Sequence, residues 1–211
     1  MVNAGDLRAA LGASRLLAIA RGGEPARAVA VLDALADEGI RVAEVSLSDP
    51  RGLPALAAAS RTLGPQVLLG AGTVLTAEQV ARAADAGAQF IVTPAWVAEV
   101  AEACSKARLA LVPGTFTPTE VAAAAPSAAA VKIFPAEPAG PAHVAALRGP
   151  FPDVPLVAVG GIGPDEARGH LRAGALAVGV GSPLMGDALE RGDLGELRGR
   201  ARALLAAVAP A

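Results

Sequence analysis

A chain of 211 residues, with 18 basic and 20 acidic side chains and a net charge of −2, has the length of one α/β domain and can bury a full core. Its charges are dispersed, with no basic stripe interleaved with aromatics and no apolar run of bilayer length, which argues against nucleic-acid binding and a membrane span. With one cysteine, Cys104, and two histidines there is neither an internal disulfide nor a ligand cluster for a metal, so the expected partners are small molecules and copies of the chain itself, and no cofactor is expected.

The segment before Leu16 contains Asp6 and no long apolar core. It does not read as a secretion signal, and a cytoplasmic location is expected. From there, short runs of Val, Ile, Leu and Ala alternate with longer stretches of helical period. In chain order the pattern predicts strand Leu16–Ala20 and helix Pro25–Glu38, then strand Val42–Leu47 and helix Leu53–Leu63. Strand Val67–Ala71 with helix Ala77–Ala86 follows, then Phe90–Thr93 with Ala95–Lys106 and Ala110–Val112 with Pro118–Ala124. The last units are Ala130–Phe134 with His143–Leu147, Leu156–Val159 with Pro164–Ala173, and Ala177–Val180 with Leu184–Val208. Gly39, Gly87 and Gly174 each stand between a helix and a strand, where a left-handed cap is required. Eight strand-helix units imply a parallel sheet closed into a single-domain (β/α)8 TIM barrel; a doubly wound open sheet is the competing fold.

The chain has two lysines among its 18 basic residues, and only Lys132, in Ala-Ala-Ala-Val-Lys-Ile-Phe-Pro, sits within an apolar strand. A buried ammonium costs several kcal/mol unless it is paired or loses its proton. Toward the C-terminal end of the sixth strand, on the face where barrel active sites are built, a desolvated lysine is a candidate nucleophile for a carbonyl. A lysine snorkelling to the rim is the structural alternative. Glu44, in Arg-Val-Ala-Glu-Val-Ser-Leu-Ser, alternates in phase with Ser46 and Ser48. If that face is the lumen, Glu44 opposes Lys132 and is the candidate acid/base; a structural ion pair between the two would satisfy both charges as well.

The last two strands end in Val159-Gly160-Gly161 and Gly181-Ser182. Backbone N–H groups freed of side chains at these two loops suit a phosphate, although glycines that merely permit tight turns would look the same. Gly70-Ala-Gly72-Thr73 ends the third strand; it lacks the third glycine and the acidic residue of a dinucleotide fingerprint, and the turn it leads into lets the backbone and the Thr73 hydroxyl approach a carboxylate. Arg21, directly after the first strand, is a candidate carboxylate or phosphate clamp. Trp96 and Cys104 read as packing residues.

The segments around Glu44, Gly70–Thr73, Ala88–Pro94, Val112–Thr115, Val131–Ala136 and Val159–Ile162 together resemble the 2-keto-3-deoxy-6-phosphogluconate/4-hydroxy-2-oxoglutarate (KDPG/KHG) aldolase family, from about Leu16 to Leu205. The resemblance implies a class I aldolase that forms pyruvate, needs no metal and assembles as a homotrimer. It implies Lys132 as the Schiff-base lysine, Glu44 as the acid/base, and Thr73, Pro94 and Phe134 beside the keto acid, with Val159, Gly160, Gly161, Gly181 and Ser182 toward the phosphate. The phosphogluconate branch has arginine where this chain has Ser48, and threonine where it has Val159; Arg21 or Arg51 would then supply the missing clamp. The 2-keto-3-deoxy-6-phosphogalactonate branch is similar to this chain at Val159 and in Ile19-Ala-Arg-Gly22, which implies a galacto-type or relaxed substrate range. The alternative is a phosphate-binding barrel isomerase or synthase that uses Lys132 only for its charge.

Overall fold

The computed structural model describes residues 2–210. Helix α1 (Ala4–Ser14) opens the chain and β1 (Leu16–Ala20), α2 (Pro25–Asp37), β2 (Val42–Ser46), α3 (Gly52–Leu63), β3 (Leu68–Gly72), α4 (Ala77–Asp85), β4 (Phe90–Val92) and α5 (Ala98–Ala107) follow. The second half runs β5 (Ala110–Val112), β6 (Gly114–Thr115), α6 (Pro118–Ala124), β7 (Val131–Ile133), α7 (Gly140–Arg148), β8 (Leu156–Val159), α8 (Pro164–Arg172), β9 (Ala177–Val180), α9 (Ser182–Met185), α10 (Ala188–Arg191) and α11 (Leu194–Val208). No helix among the described residues is long and apolar enough to cross a membrane.

All strand pairs are parallel, in the order β5-β4-β3-β2-β1-β9-β8-β7-β6. The nine segments form eight staves, because β5 and β6 are one strand interrupted at Pro113, which has no N–H to give to a ladder. β5 pairs with β4 on one side and β6 pairs with β7 on the other. Backbone bonds from Ala129 N to Leu111 O at 2.8 Å and from Lys132 N to Pro113 O at 2.9 Å carry the ladder across the break. The expected TIM barrel is therefore the observed fold, and the open sheet is excluded by this closure.

Two apolar cores follow from the period of two along each strand. Outward residues such as Ala18, Val45, Ala71, Ile91, Ile133 and Ala158 pack under the helices. Inward residues Leu17, Ile19, Val42, Phe90, Val92, Val112, Val157 and Val159 fill the lumen, together with Leu7 and Leu11 of α1. Helix α1, which has no counterpart in the expected elements, is a plug. Asn3 Oδ1 accepts from Asp6 N at 3.0 Å while Asn3 N donates to Asp6 Oδ2 at 3.1 Å, a capping box that starts the helix. Its i, i+4 pair Leu7 and Leu11 is fully buried beneath the barrel.

The expected helix Leu184–Val208 is three helices, α9, α10 and α11. Gly186 (φ 52°) and Gly192 (φ 81°) adopt positive-φ conformations that end the first two, and Asp193 caps the third through Gly195 N and Glu196 N. The expected helix from Ala95 begins at Ala98, because Thr93 Oγ1 donates to Ala95 O at 2.6 Å and holds that segment as a loop. The expected His143–Leu147 helix is longer, Gly140–Arg148. Gly39, Gly87 and Gly174 have φ of 104°, 92° and 97°, as their places between helix and strand require.

Candidate active site

Lys132 on β7 and Glu44 on β2 are 6% and 2% exposed. They belong to the inward parity of their strands, in register with Val157 and Gly114 for Lys132 and with Ile19 and Gly70 for Glu44. Two side-chain deletions on β3 make their space. A Cβ on Gly70 would meet the Phe90 ring at 2.4 Å, so this glycine lets Phe90 fill the middle of the lumen. A Cβ on Gly72 would lie 2.4 Å from Glu44 Oε1 and 2.7 Å from its Cδ, so the Glu44 carboxylate rests against bare backbone. Gly70 thus lies within β3, as the expected strand Val67–Ala71 has it, and Gly72 is the last residue of that strand, one beyond the expected end.

Among the described residues Lys132 and Glu44 form no ion pair within 4.0 Å, which removes the structural-bridge alternative. Lys132 Nζ instead lies 4.8 Å from the centroid of the Phe134 ring. Glu44 Oε2 is buried with no hydrogen-bond partner among the described residues. Burial pushes the Glu44 carboxyl above the ordinary carboxylate range, opposed by the charges of Lys132 and Arg21. Burial likewise lowers the Lys132 amine below its ordinary value; the Glu44 charge opposes this and the Arg21 charge adds to it. Both shifts favour neutral groups, the lysine form that can attack a carbonyl and the carboxyl form that can give up a proton.

Beside Phe134 opens a cavity of about 550 Å³. Its wall includes Arg21, Phe134, Val159, Gly160, Gly161, Gly181 and Ser182, all singled out from the sequence. Lys132, Glu44, Thr73 and Pro94 are not wall residues of this cavity; Lys132 adjoins it through the Phe134 ring. Thr73 directly follows β3, has φ 60° and hydrogen-bonds through Oγ1 to Ser46 Oγ at 2.8 Å. Pro94 follows β4, its backbone pressed against Gly114, where a Cβ would lie 2.3 Å from the Pro94 carbonyl carbon. Met185, Leu189 and Glu190 also line it and were missed. Their signal was the glycine and aspartate pairs, Gly186-Asp187 and Gly192-Asp193, which break the last expected helix and fold its first turns over the mouth.

The two arginines proposed as clamps differ. Arg51 donates to Asp49 at 2.9 and 2.8 Å and reaches Glu24 at 3.5 Å, and this guanidinium pulls the Asp49 carboxyl down to about 2. Arg51 is already engaged. Arg21 forms no ion pair among the described residues, lines the cavity, and acts electrostatically on both Glu44 and Lys132. Trp96 packs against the outer core. Burial raises the Cys104 thiol to about 12, which leaves it unreactive. His143 sits on α7 with Nε2 2.7 Å from Phe116 O, in a turn outside the lumen.

A family model described as KDPG and KHG aldolase matches residues 7–198. The chain belongs to the KDPG and KHG aldolase family. It is 37% identical over 180 residues to the 2-dehydro-3-deoxy-6-phosphogalactonate aldolase of Escherichia coli, a match covering 83% of this chain and 88% of that one. The KDPG aldolase of Legionella pneumophila, solved with pyruvate captured at low pH as a covalent carbinolamine intermediate, superposes on this aldolase-family chain with a TM-score of 0.87. It is 29% identical, covering 96% of this chain and 98% of that one. A cube-shaped, highly porous protein cage designed by fusing symmetric oligomeric domains matches with a TM-score of 0.84 and 35% identity, over 91% of this chain and 71% of the cage chain.

Proposed function

We propose that residues 1–211 form one class I aldolase domain that cleaves a 2-keto-3-deoxy-6-phospho sugar acid to pyruvate and glyceraldehyde 3-phosphate. The observation that carries this reading is the pair of lumen-facing ionisable side chains, Lys132 and Glu44, buried without an ion pair between them in a member of this family. Neutral Lys132 Nζ attacks the C2 ketone. Glu44 gives a proton to the carbinolamine oxygen, which leaves as water, and the resulting iminium is the electron sink. Glu44, now a carboxylate, takes the C4 hydroxyl proton as the C3–C4 bond breaks, releasing the aldehyde and leaving an enamine. Protonation of the enamine at C3 and hydrolysis return pyruvate and free Lys132. These are proton transfers of the kind a buried carboxyl with an unpartnered oxygen can perform, and none needs a metal or cofactor.

In this reading Thr73, Pro94 and Phe134 hold the keto-acid end, with Val159 beside the reacting chain. Gly160, Gly161, Gly181 and Ser182 receive the phosphate, and Arg21 supplies the positive charge that engaged Arg51 does not. The relative from Escherichia coli supports the galacto acid as the preferred substrate, and 4-hydroxy-2-oxoglutarate, cleaved to pyruvate and glyoxylate, is the second substrate expected. The likeness to a chain built from symmetric oligomeric domains supports self-assembly, for which we propose a homotrimer, and the cytoplasmic location expected from the sequence belongs to the same reading. Incubation with pyruvate and borohydride, followed by peptide mass analysis, is expected to place a reduced adduct on Lys132. An unmodified lysine under conditions that label another class I aldolase sinks the mechanism. Pyruvate release from the gluco and galacto acids is expected to favour the galacto acid, and equal rates would refute that preference.

A further inference from the structure

Three hydroxyls meet where β2 and β3 end. Ser46 Oγ, on a fully buried residue, lies 2.8 Å from Thr73 Oγ1 and 2.9 Å from Ser48 Oγ. The backbone N–H of Ser48 also donates toward Ser46 Oγ, at 3.4 Å. A serine hydroxyl has one proton and two lone pairs, so Ser46 donates to only one of its two hydroxyl neighbours and accepts from the other. The chain of hydroxyls has two directions. Running Ser48 to Ser46 to Thr73, it leaves the Thr73 proton unspent; running the other way, it leaves Thr73 presenting only lone pairs beyond the network. An anionic acceptor beside Thr73 selects the first direction, because lone pairs facing a carboxylate repel it.

The geometry holds this contact in place from both sides. Ser46 is in register with Gly72, directly before Thr73, and Leu47 N donates to Gly72 O at 2.8 Å. Thr73 itself is held at φ 60°, a left-handed conformation that a β-branched residue adopts only when surrounding structure imposes it. Glu44, two residues before Ser46 on the same strand face, lies against Gly72 as well, so the hydroxyl chain and the acid/base share one wall of the lumen.

We infer that Ser46 is a positioning residue for keto-acid binding: by donating to Thr73 Oγ1 it turns the Thr73 proton toward the carboxylate of pyruvate or of the sugar acid. The inference rests on the reading of Thr73 as a carboxylate contact and of Lys132 as the imine-forming amine. Ser46 touches no substrate. It acts on recognition of the acid group and not on the carbon–carbon step.

The test is borohydride trapping on Lys132 as a function of pyruvate concentration, with steady-state cleavage and thermal unfolding measured for each variant. Ser46→Ala is expected to raise the pyruvate half-saturation about five-fold, the fold-change for one net hydrogen bond, while kcat for cleavage changes less than about two-fold. Ser46→Thr, which keeps the hydroxyl, is expected to return half-saturation to within about two-fold of the parent. In a Thr73→Val background, adding Ser46→Ala is expected to change nothing further, because the residue it acts through is gone. An unchanged half-saturation in folded Ser46→Ala overturns the inference and leaves the Schiff-base reading standing. So does an equal loss in the Thr73→Val background, which would make Ser46 a merely structural contact. No adduct on the parent protein overturns the Schiff-base reading and the relay with it.

Discussion

Gly72→Ala tests the site through its tightest contact. The new Cβ would stand 2.4 Å from Glu44 Oε1, 2.7 Å from its Cδ and 3.2 Å from Oε2. Ordinary van der Waals contact begins about 1 Å further out, so the carboxylate must move by roughly that much. Glu44 cannot yield along the strand, because β2 and β3 are locked in register from Val42–Leu68 to Ser46–Gly72. A displacement of about 1 Å at a reacting group costs on the order of 10²-fold in rate. Overpacking itself costs about 1–3 kcal/mol, or roughly 2–12 °C of Tm for a chain of this size. Gly70→Ala is the matched control, since its Cβ would strike the Phe90 ring at 2.4 Å and disturb packing without touching an ionisable group. In a coupled assay of pyruvate release, both variants are expected to lose Tm, but only Gly72→Ala should lose on the order of 10²-fold in kcat. Folded Gly72→Ala turning over within about two-fold of the parent would refute the placement of Glu44 in the chemistry.

Other consequences concern charge. Glu44 is raised by burial, so the folded state favours its protonated form; stability from this source is present below the unfolded value of 4.5 and is lost as pH rises through the higher folded value. Because the chemistry starts from protonated Glu44, kcat/KM should fall as pH rises through its folded value above 4.5, and Glu44→Gln should abolish that fall while lowering kcat by about 10²-fold or more, measured as a pH–rate profile. Arg21→Ala is expected to raise KM for the phosphorylated acid by about ten-fold or more, whereas Arg51→Ala, whose side chain is held by Asp49 and Glu24, should leave KM within about two-fold. Cys104, with its thiol raised to about 12 by burial, should resist a thiol reagent in the folded protein and react fully after denaturation.

The alternation of apolar strands with helices and the glycines at positions 39, 87 and 174 were legible in the chain itself, because period and backbone chirality are local properties. So were Lys132 and Glu44, since a charge within an apolar run stands out before any fold is known. Local pattern could not reveal that Asn3, Asp6, Leu7 and Leu11 form a plug, because a short helix with one pair of apolar anchors has meaning only against the open end of a barrel. Nor could it separate Arg21, which lines the cavity, from Arg51, which Asp49 and Glu24 hold. That Gly70 and Gly72 end a strand was legible; only closure of the sheet showed that their missing side chains clear space in the lumen for Phe90 and the Glu44 carboxylate. Residue type and order along the chain settle which groups could do chemistry here. Strand parity and the closure of the barrel bury Lys132 and Glu44 on one lumen, where burial shifts both toward their neutral forms, and that is a property of neighbours far apart in sequence.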